Sequence, residues 1–248
     1  MIHPLYYLLL ILSLLTGHFQ PILLFTLLIF VHELGHFLTA FCLGWKVVAI
    51  HIYPYGGCSE FQQELNVCLW QEWLVLLMGP LAQLLVVFLL SFMMSPSEYS
   101  LCLHYSNWLL IFNLLPIYPL DGGKLLLLVN QHFFSFYSSY QFIFALSYFL
   151  VFTVLLSCFF FSFNLILFLS LFLLMIKLCQ EIERFPVYYQ KFLFERYLIR
   201  FPFRKNKQIS SLRQMKRDTY HYFLQNGTII SEFEYLNRLF GSYYSQSR

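Results

Sequence analysis

The stretch FVHELGHFLTA (residues 30–40) places two histidines and a glutamate in the middle of an apolar run that has the composition of a membrane span. Placing an ionisable side chain at the centre of a membrane helix costs on the order of 3 kcal/mol. Ionisable residues at that depth are therefore expected to serve a function, and their spacing indicates which one.

His32 and His36 are four residues apart, so on a helix both rings project from one face, with their Cβ atoms about 6 Å apart. Two imidazoles at this spacing can bind one metal ion. Glu33 points about 100° around the helix from His32, so it need not bind the metal. It can instead accept a proton from a metal-bound water. The H-E-x-x-H pattern on a helix is typical of zinc hydrolases. Two histidines that only bond neighbouring spans are the alternative.

The rest of the composition agrees with a membrane location. The chain is 59% hydrophobic and 11% charged, whereas soluble proteins carry about 25% charged residues. Only Lys46 and Lys124 of its 15 lysines and arginines precede residue 177, so an apolar body is followed by a basic tail. The positive-inside rule explains this asymmetry better than nucleic-acid binding does, and it predicts a cytoplasmic tail close to membrane lipid. Nucleic acid is not an expected partner.

Hydropathy predicts an all-α polytopic membrane protein with about six transmembrane helices and both termini in the cytoplasm. The fourth span is interrupted by PIYPLDGGK, because its two prolines cannot continue a helix. The alternating VVAIHIY, followed by Pro-Tyr-Gly-Gly, predicts a short β-hairpin between spans two and three. The predicted spans are residues 5–16, 21–43, 70–94 and 101–129, and two spans within 140–177 that are divided near 162–164.

Three regions are expected along the chain: a transmembrane domain (1–178), a basic amphipathic linker (179–211) and a small α+β cytoplasmic tail (212–248). In the tail, TYHYFLQNGTIISEF predicts two strands joined by an Asn-Gly turn, and EFEYLNRLF predicts a helix after them.

A catalytic zinc ion needs a third protein ligand. Asp121 lies at membrane depth in the stretch NLLPIYPLDGG. With Asp121, the charges of a zinc ion, two neutral histidines and an ionised Glu33 nearly cancel, which suits a low-dielectric site. The charge balance favours a ligand role, and a helix N-cap is the alternative role for Asp121. The other candidates lie at or near the ends of spans: His51, Glu72, Glu98 and His104.

HELGH in one membrane helix, GPLAQ in the next span and a later LDG resemble the site-2 protease family of intramembrane zinc metalloproteases. The chain looks most similar to the branch in endospore-forming bacteria that carries a cytoplasmic CBS domain and cleaves pro-sigma-K. The resemblance implies His32, His36 and Asp121 as zinc ligands and Glu33 as the base. It also implies the mother-cell membrane around the forespore as location, a pro-sigma-K-like protein substrate and inhibitory membrane proteins as partners.

Two features depart from that family. Gln83 stands where the family often has Asn, and residues 212–248 are shorter than a CBS pair and resemble one partial CBS unit. The departure in the tail leaves nucleotide sensing open.

The predicted function is hydrolysis of a peptide bond in a membrane-associated protein, a pro-sigma factor activated during sporulation by resemblance. Asn113 is a candidate to bond the substrate or the oxyanion, with helix packing as its alternative role. Pro116, Gly56 and Gly57 are further candidates for substrate positioning, beside a strand edge that an extended substrate can join. A metal-binding transporter or sensor is the alternative function, although it would have no need for Glu33.

Overall fold

The structure, a computed structural model, describes residues 15, 17, 19–53, 56–62, 65–66, 68–160, 165–199, 201, 203, 205–225 and 227–245. The predicted first span falls almost entirely outside these ranges. The elements in chain order are α1 (Phe19–Cys42), β1 (Lys46–Tyr53), β2 (Gly56–Gln62), α2 (Leu69–Leu90), α3 (Pro96–Asn113), α4 (Asp121–Phe133), α5 (Phe136–Phe160), α6 (Leu165–Leu198), β3 (Lys205–Ile209), a 3-10 turn (Leu212–Gln214), β4 (Thr219–Gln225), β5 (Thr228–Ser231) and α7 (Glu232–Ser245).

Three helices in the described part of the chain are long and apolar enough to cross a membrane: α1, α2 and residues Phe136–Ser157 of α5. α1 and α2 confirm the predicted second and third spans, and α5 is an apolar helix where the fifth span was predicted. Their large outward-facing side chains, such as Phe30, Leu85 and Phe149, are more than half exposed, as expected where lipid replaces water. The count is lower than the six predicted, in part because α4, with 13 residues, is shorter than the roughly 20 that a span needs.

The predicted break in the fourth span is confirmed. α3 ends at Asn113 and α4 begins at Asp121, with Pro116 and Pro119 in the loop between them. Gly122 allows this loop to fold back onto α4, because a Cβ there would lie only 2.1 Å from the carbonyl oxygen of Leu114. The loop therefore returns the chain sharply and brings the start of α4 back beside the end of α3.

The predicted hairpin between the second and third spans is also confirmed. β1 and β2 pair antiparallel, with Tyr53 opposite Gly56 and Ile52 opposite Gly57. Both strands lie against α1, the helix that carries the HELGH motif.

The last membrane-predicted helix runs on without a break. α6 extends for 34 residues across position 178 with Pro186 inside it, so no change in secondary structure marks the expected boundary between domain and linker. Most of the predicted linker is this helix and a strand, β3, that the sequence did not predict. Four of the five β3 side chains are exposed, so β3 lacks the alternation that identifies a half-buried strand.

The C-terminal unit, residues 205–245, is a three-stranded sheet with a helix. β3 pairs parallel with β4, β4 pairs antiparallel with β5, and α7 packs on them. The hairpin and helix predicted in the tail are confirmed.

The C-terminal unit shares a hydrophobic core with the helices. Phe136 of α5 stacks on Phe192 of α6 with ring centroids 4.2 Å apart, and its backbone N–H donates to the carbonyl oxygen of Met215 at 2.9 Å. Met215, Phe223 and other buried residues of the unit belong to the same cluster. The unit is therefore packed directly against the junction of α4 and α5.

Candidate metal centre

The side chains of His32, His36 and Asp121 meet in the buried interior. Nε2 of His32 lies 3.1 Å from Nε2 of His36, and Oδ2 of Asp121 lies 2.9 Å from the first and 3.1 Å from the second. All three residues are less than 9% exposed. Among the described residues, they are the group of histidine, cysteine and acidic side chains that could hold a metal ion. The predicted set of ligands is thus brought together.

The second nitrogen of each ring faces a carbonyl oxygen. Nδ1 of His36 lies 2.8 Å from the backbone oxygen of Val75, and Nδ1 of His32 lies 3.0 Å from Oε1 of Gln83. Since a carbonyl oxygen only accepts, each Nδ1 carries the hydrogen and donates it. Each neutral ring therefore presents a lone pair on Nε2.

Three electron-rich atoms thus face one another at about 3 Å, and their repulsion is relieved by a cation between them. Zinc with bonds of about 2.0–2.1 Å to nitrogen and oxygen separates tetrahedral ligand atoms by roughly 3.3 Å. The observed triangle needs only a slight expansion to reach that size. The residues present therefore fit a zinc ion, and they leave one tetrahedral position for water or substrate.

Asp121 is positioned by the proline-containing loop. It is the first residue of α4, while Leu120 takes the N-cap position without a side-chain cap. Oδ2 of Asp121 lies within 3.1 Å of both histidine rings, a position that suits the ligand role. Three of the other candidate ligands are engaged elsewhere: Glu72 pairs with Arg217, Glu98 closes a capping box with Ser95, and His104 accepts from Trp108.

The other predicted site residues lie at different distances from the centre. Glu33 is 4% exposed and directly follows His32 on α1. Asn113, also buried, places Nδ2 at 3.4 Å from Nε2 of His32. Pro116 is an exposed residue of the loop after α3. Gly56 and Gly57 stand at the turn end of the hairpin, so a role for these glycines in substrate positioning stays a prediction.

The sequence alone did not identify the residues that support the histidines. Gly79 makes room for His36, because a Cβ at that position would lie 2.2 Å from the ring. Val75 acts through its backbone and leaves no sequence signal. Ser106 and Asn113 are seven residues apart on α3, which places them on one face, and that spacing is a signal that could have found Ser106.

Comparison with known proteins agrees with this geometry. The sequence profile described as Peptidase family M50 matches residues 20–98. Stage IV sporulation protein FB of Bacillus subtilis (strain 168) is 30% identical over 219 residues, which cover 85% of this chain and 74% of that protein. Putative zinc metalloprotease sll0528 of Synechocystis sp. is 33% identical over 118 residues, which cover 44% of this chain and 31% of that protein.

A solved structure extends the similarity beyond the profile match. The site-2 protease from Methanocaldococcus jannaschii superposes with a TM-score of 0.59 at 25% identity, covering 73% of this chain and 88% of that one. Apolar helices that enclose a histidine and aspartate cluster next to an H-E-x-x-H glutamate define a membrane-embedded metalloprotease. The chain belongs to peptidase family M50, the site-2 protease family, and is an intramembrane zinc metalloprotease.

Proposed function

We propose that His32, His36 and Asp121 bind the catalytic zinc ion and that Glu33 is the general base in hydrolysis of a peptide bond. The observation that carries this proposal is the convergence of three lone-pair atoms at 2.9–3.1 Å. Both rings are held in the orientation that a metal requires, by carbonyl oxygens on their far sides.

A zinc ion held by His32, His36 and Asp121 would act as a Lewis acid on the scissile carbonyl and on the attacking water. Glu33 accepts a proton from the attacking water and returns it to the leaving amine. Asn113 directs its amide N–H group toward the same centre and is placed to donate a hydrogen bond to the oxygen of the scissile carbonyl. Burial of the site keeps bulk water from competing with these interactions.

For the substrate, we propose a membrane-associated pro-sigma factor of the pro-sigma-K kind, activated during sporulation. The support is the 30% identity to stage IV sporulation protein FB over 74% of its length. The 13 lysines and arginines from residue 177 onward support a cytoplasmic C-terminus. Six membrane spans would then place the N-terminus in the cytoplasm as well.

The hairpin is the element that we propose for substrate alignment. A helical substrate protects its peptide bonds by hydrogen bonding, so the segment to be cut must be held extended. β1 and β2 form a two-stranded sheet against α1, and an outer edge of a two-stranded sheet can pair with an added strand. Gly56 and Gly57 would then allow the substrate backbone to approach at the turn.

Co-expression with tagged pro-sigma-K tests the proposal. Glu33→Gln is expected to abolish cleavage while the purified protein keeps its zinc, because the base is lost and no ligand is. Glu98→Gln is the matched control, since it makes the same chemical change at an exposed capping residue and should cleave normally. Cleavage by Glu33→Gln at the wild-type rate would show that another group is the base.

A further inference from the structure

Gln83 is fully buried in α2 and bonds to both neighbouring helices. Its Oε1 lies 3.0 Å from Nδ1 of His32 on α1. Its Nε2 lies 3.0 Å from the backbone oxygen and 2.9 Å from the hydroxyl of Ser106 on α3. A buried amide that bonds at both ends has a single orientation when one of its partners can only donate or only accept. Gln83 has such a partner on α3.

The backbone oxygen of Ser106 fixes the direction of the amide. A carbonyl oxygen can only accept, so the NH2 group of Gln83 must face it. The flipped amide would set two acceptors against each other in a fully buried site, which costs about 1–3 kcal/mol for each unsatisfied group. Oε1 of Gln83 is therefore held toward His32.

The fixed amide in turn fixes the hydrogen on the imidazole. Because Oε1 only accepts, Nδ1 of His32 must donate, and the single ring hydrogen of the neutral histidine is on that nitrogen. Nε2 then carries the lone pair that points at Asp121 and His36. A free neutral imidazole has no such fixed choice between its two nitrogens.

We propose that Gln83, oriented by Ser106, is a positioning residue that holds His32 in the tautomer that can bind the metal. This inference rests on the proposed zinc site. Nδ1 of His36 donates in the same way to the backbone oxygen of Val75, an acceptor that no side-chain substitution removes. The two ligands of one motif thus differ in how they are supported, and only the support of His32 is open to a side-chain substitution.

The test measures zinc affinity of the purified full-length protein in detergent by competition with a chelator. Gln83→Met keeps the length of the side chain and removes the acceptor, and a loss of about 10–100-fold in zinc affinity is expected. Gln83→Glu, as a neutral carboxyl group that donates its O–H to the backbone oxygen of Ser106, keeps an acceptor toward His32 and should bind zinc about as tightly as the wild type. Ser106→Ala removes the hydroxyl and leaves the backbone oxygen that sets the direction, so its zinc affinity should be close to that of the wild type.

A second readout distinguishes positioning from packing. In zinc-free protein labelled with 15N-histidine, NMR should show the hydrogen of His32 on Nδ1 in the wild type and in Gln83→Glu. In Gln83→Met, a population with the hydrogen on Nε2 should appear, because the carboxylate of Asp121 is then the remaining acceptor. A residue that only packs between helices would lower the thermal unfolding midpoint in both variants without changing the tautomer.

The outcomes separate this inference from the proposed zinc site. Wild-type zinc affinity in Gln83→Met overturns the inference, as does a loss in Gln83→Glu equal to that in Gln83→Met. If Asp121→Asn still loses its zinc in the same assay, the zinc site stands and only the role of Gln83 is wrong. If Gln83→Met fails to fold, Gln83→Glu alone tests the inference. Weaker zinc binding in that variant, or a mixture of the two His32 tautomers, overturns the inference.

Discussion

The metal centre and the buried ion-pair cluster between α6 and the C-terminal unit both combine histidine with a carboxylate, and they differ in which atoms meet. In the metal centre, with each ring hydrogen on Nδ1, the Nε2 atoms of His32 and His36 and an oxygen of Asp121 face one another as acceptors. In the ion-pair cluster, Glu232 accepts from the guanidinium of Arg196 at 2.9 Å and from the backbone N–H of His221 at 2.8 Å. In the ion-pair cluster a guanidinium of the chain bonds the carboxylate, whereas the carboxylate of the metal centre faces two imidazole nitrogens.

Arg196 shows how completely the second cluster is satisfied. Its guanidinium also donates to Oδ1 of Asn66 and to the backbone oxygen of Thr219. A buried carboxylate paired in this way has its bonding capacity used within the chain. A buried arginine bonded to the carboxylate therefore marks this histidine and carboxylate cluster as structural.

Arg217 lies between the two clusters, because its backbone oxygen accepts from the guanidinium of Arg196. Its guanidinium donates to Oε1 of Gln131 on α4 at 2.9 Å and to the carboxylate of Glu72 on α2. α4 carries Asp121, and α2 carries the residues that support both histidines. The C-terminal unit thus contacts two of the helices that form the metal centre. On α4 it contacts Gln131, at the end away from Asp121, and on α2 it contacts Glu72, one turn before Val75.

The largest expected effect is on the metal centre itself. Asp121→Asn should lose both zinc and proteolysis, because a neutral amide is a poor zinc ligand and leaves the buried charge unbalanced. Metal analysis of the purified protein measures the loss. Asp218→Asn, at an exposed acid of the C-terminal unit, is the control and should keep full zinc. Zinc at full stoichiometry in Asp121→Asn would mean that the third ligand is another residue.

The second effect is expected in the ion-pair cluster, where a substitution should lower the stability of the fold and leave zinc binding unchanged. Arg196→Met leaves Glu232 buried without its guanidinium, which is expected to lower the free energy of unfolding by about 3–5 kcal/mol. Thermal unfolding in detergent measures the change. Zinc binding should stay intact in whatever fraction remains folded.

A double variant sharpens that result. Replacing both partners with apolar residues, as in Arg196→Met with Glu232→Leu, removes the uncompensated charge and should recover part of the stability. A double variant less stable than Arg196→Met alone would contradict the view that the cluster is a self-contained charge pair.

A smaller effect is expected at the connection between the clusters. Arg217→Gln removes the cation beside Glu72, whose side chain is more exposed than that of Glu232 at 15% against 4%. A loss of about 1–3 kcal/mol in unfolding free energy is expected. Arg238→Gln, in the exposed pair with Glu234, is the control and should change stability by about 0.5 kcal/mol or less. Equal effects of the two substitutions would show that Arg217 does not connect the helices.

The sequence predicted those parts of the molecule that local pattern determines. The HELGH motif, the break around Pro116 and Pro119, and both hairpins were found because each depends on residues close together in the chain. Asp121 was chosen as the candidate third ligand because it lies deep in an apolar segment. The six-span count, the proposed ligand and base roles, and the three-region division stay predictions.

The sequence did not predict what depends on distant partners. β3 is defined by its parallel pairing to β4 and has no alternation of its own. Arg217 and Glu72 are 145 residues apart, and no local pattern indicates that they meet. The tautomer of His32 depends on Gln83 and Ser106, which lie on two other helices. Long-range pairing of polar groups is thus the part of this fold that composition and periodicity did not indicate.

The smallest predicted effect is a pH dependence that belongs to the ion-pair cluster. Nε2 of His221 accepts from the backbone N–H of Lys216 at 3.1 Å, and Nδ1 lies 3.1 Å from Oε2 of Glu232. His221 is therefore neutral, since a proton on Nε2 would break the bond from Lys216. Burial lowers the pKa of His221, and Glu232 offsets this only in part, so that pKa lies below its ordinary value of 6.5.

The sign of the dependence follows from where the protons bind. Between pH 6.5 and the lowered pKa of His221, the unfolded chain binds a proton at this residue that the folded chain does not, so stability falls as the pH falls. The thermal unfolding midpoint measured from pH 7.5 to pH 5 should therefore decline, and His221→Gln should flatten the decline. His132→Gln, at an exposed histidine of α4, should leave the slope unchanged. A slope that is the same in the wild type and in His221→Gln would show that the decline arises from another group, and that the cluster does not hold His221 neutral against protonation.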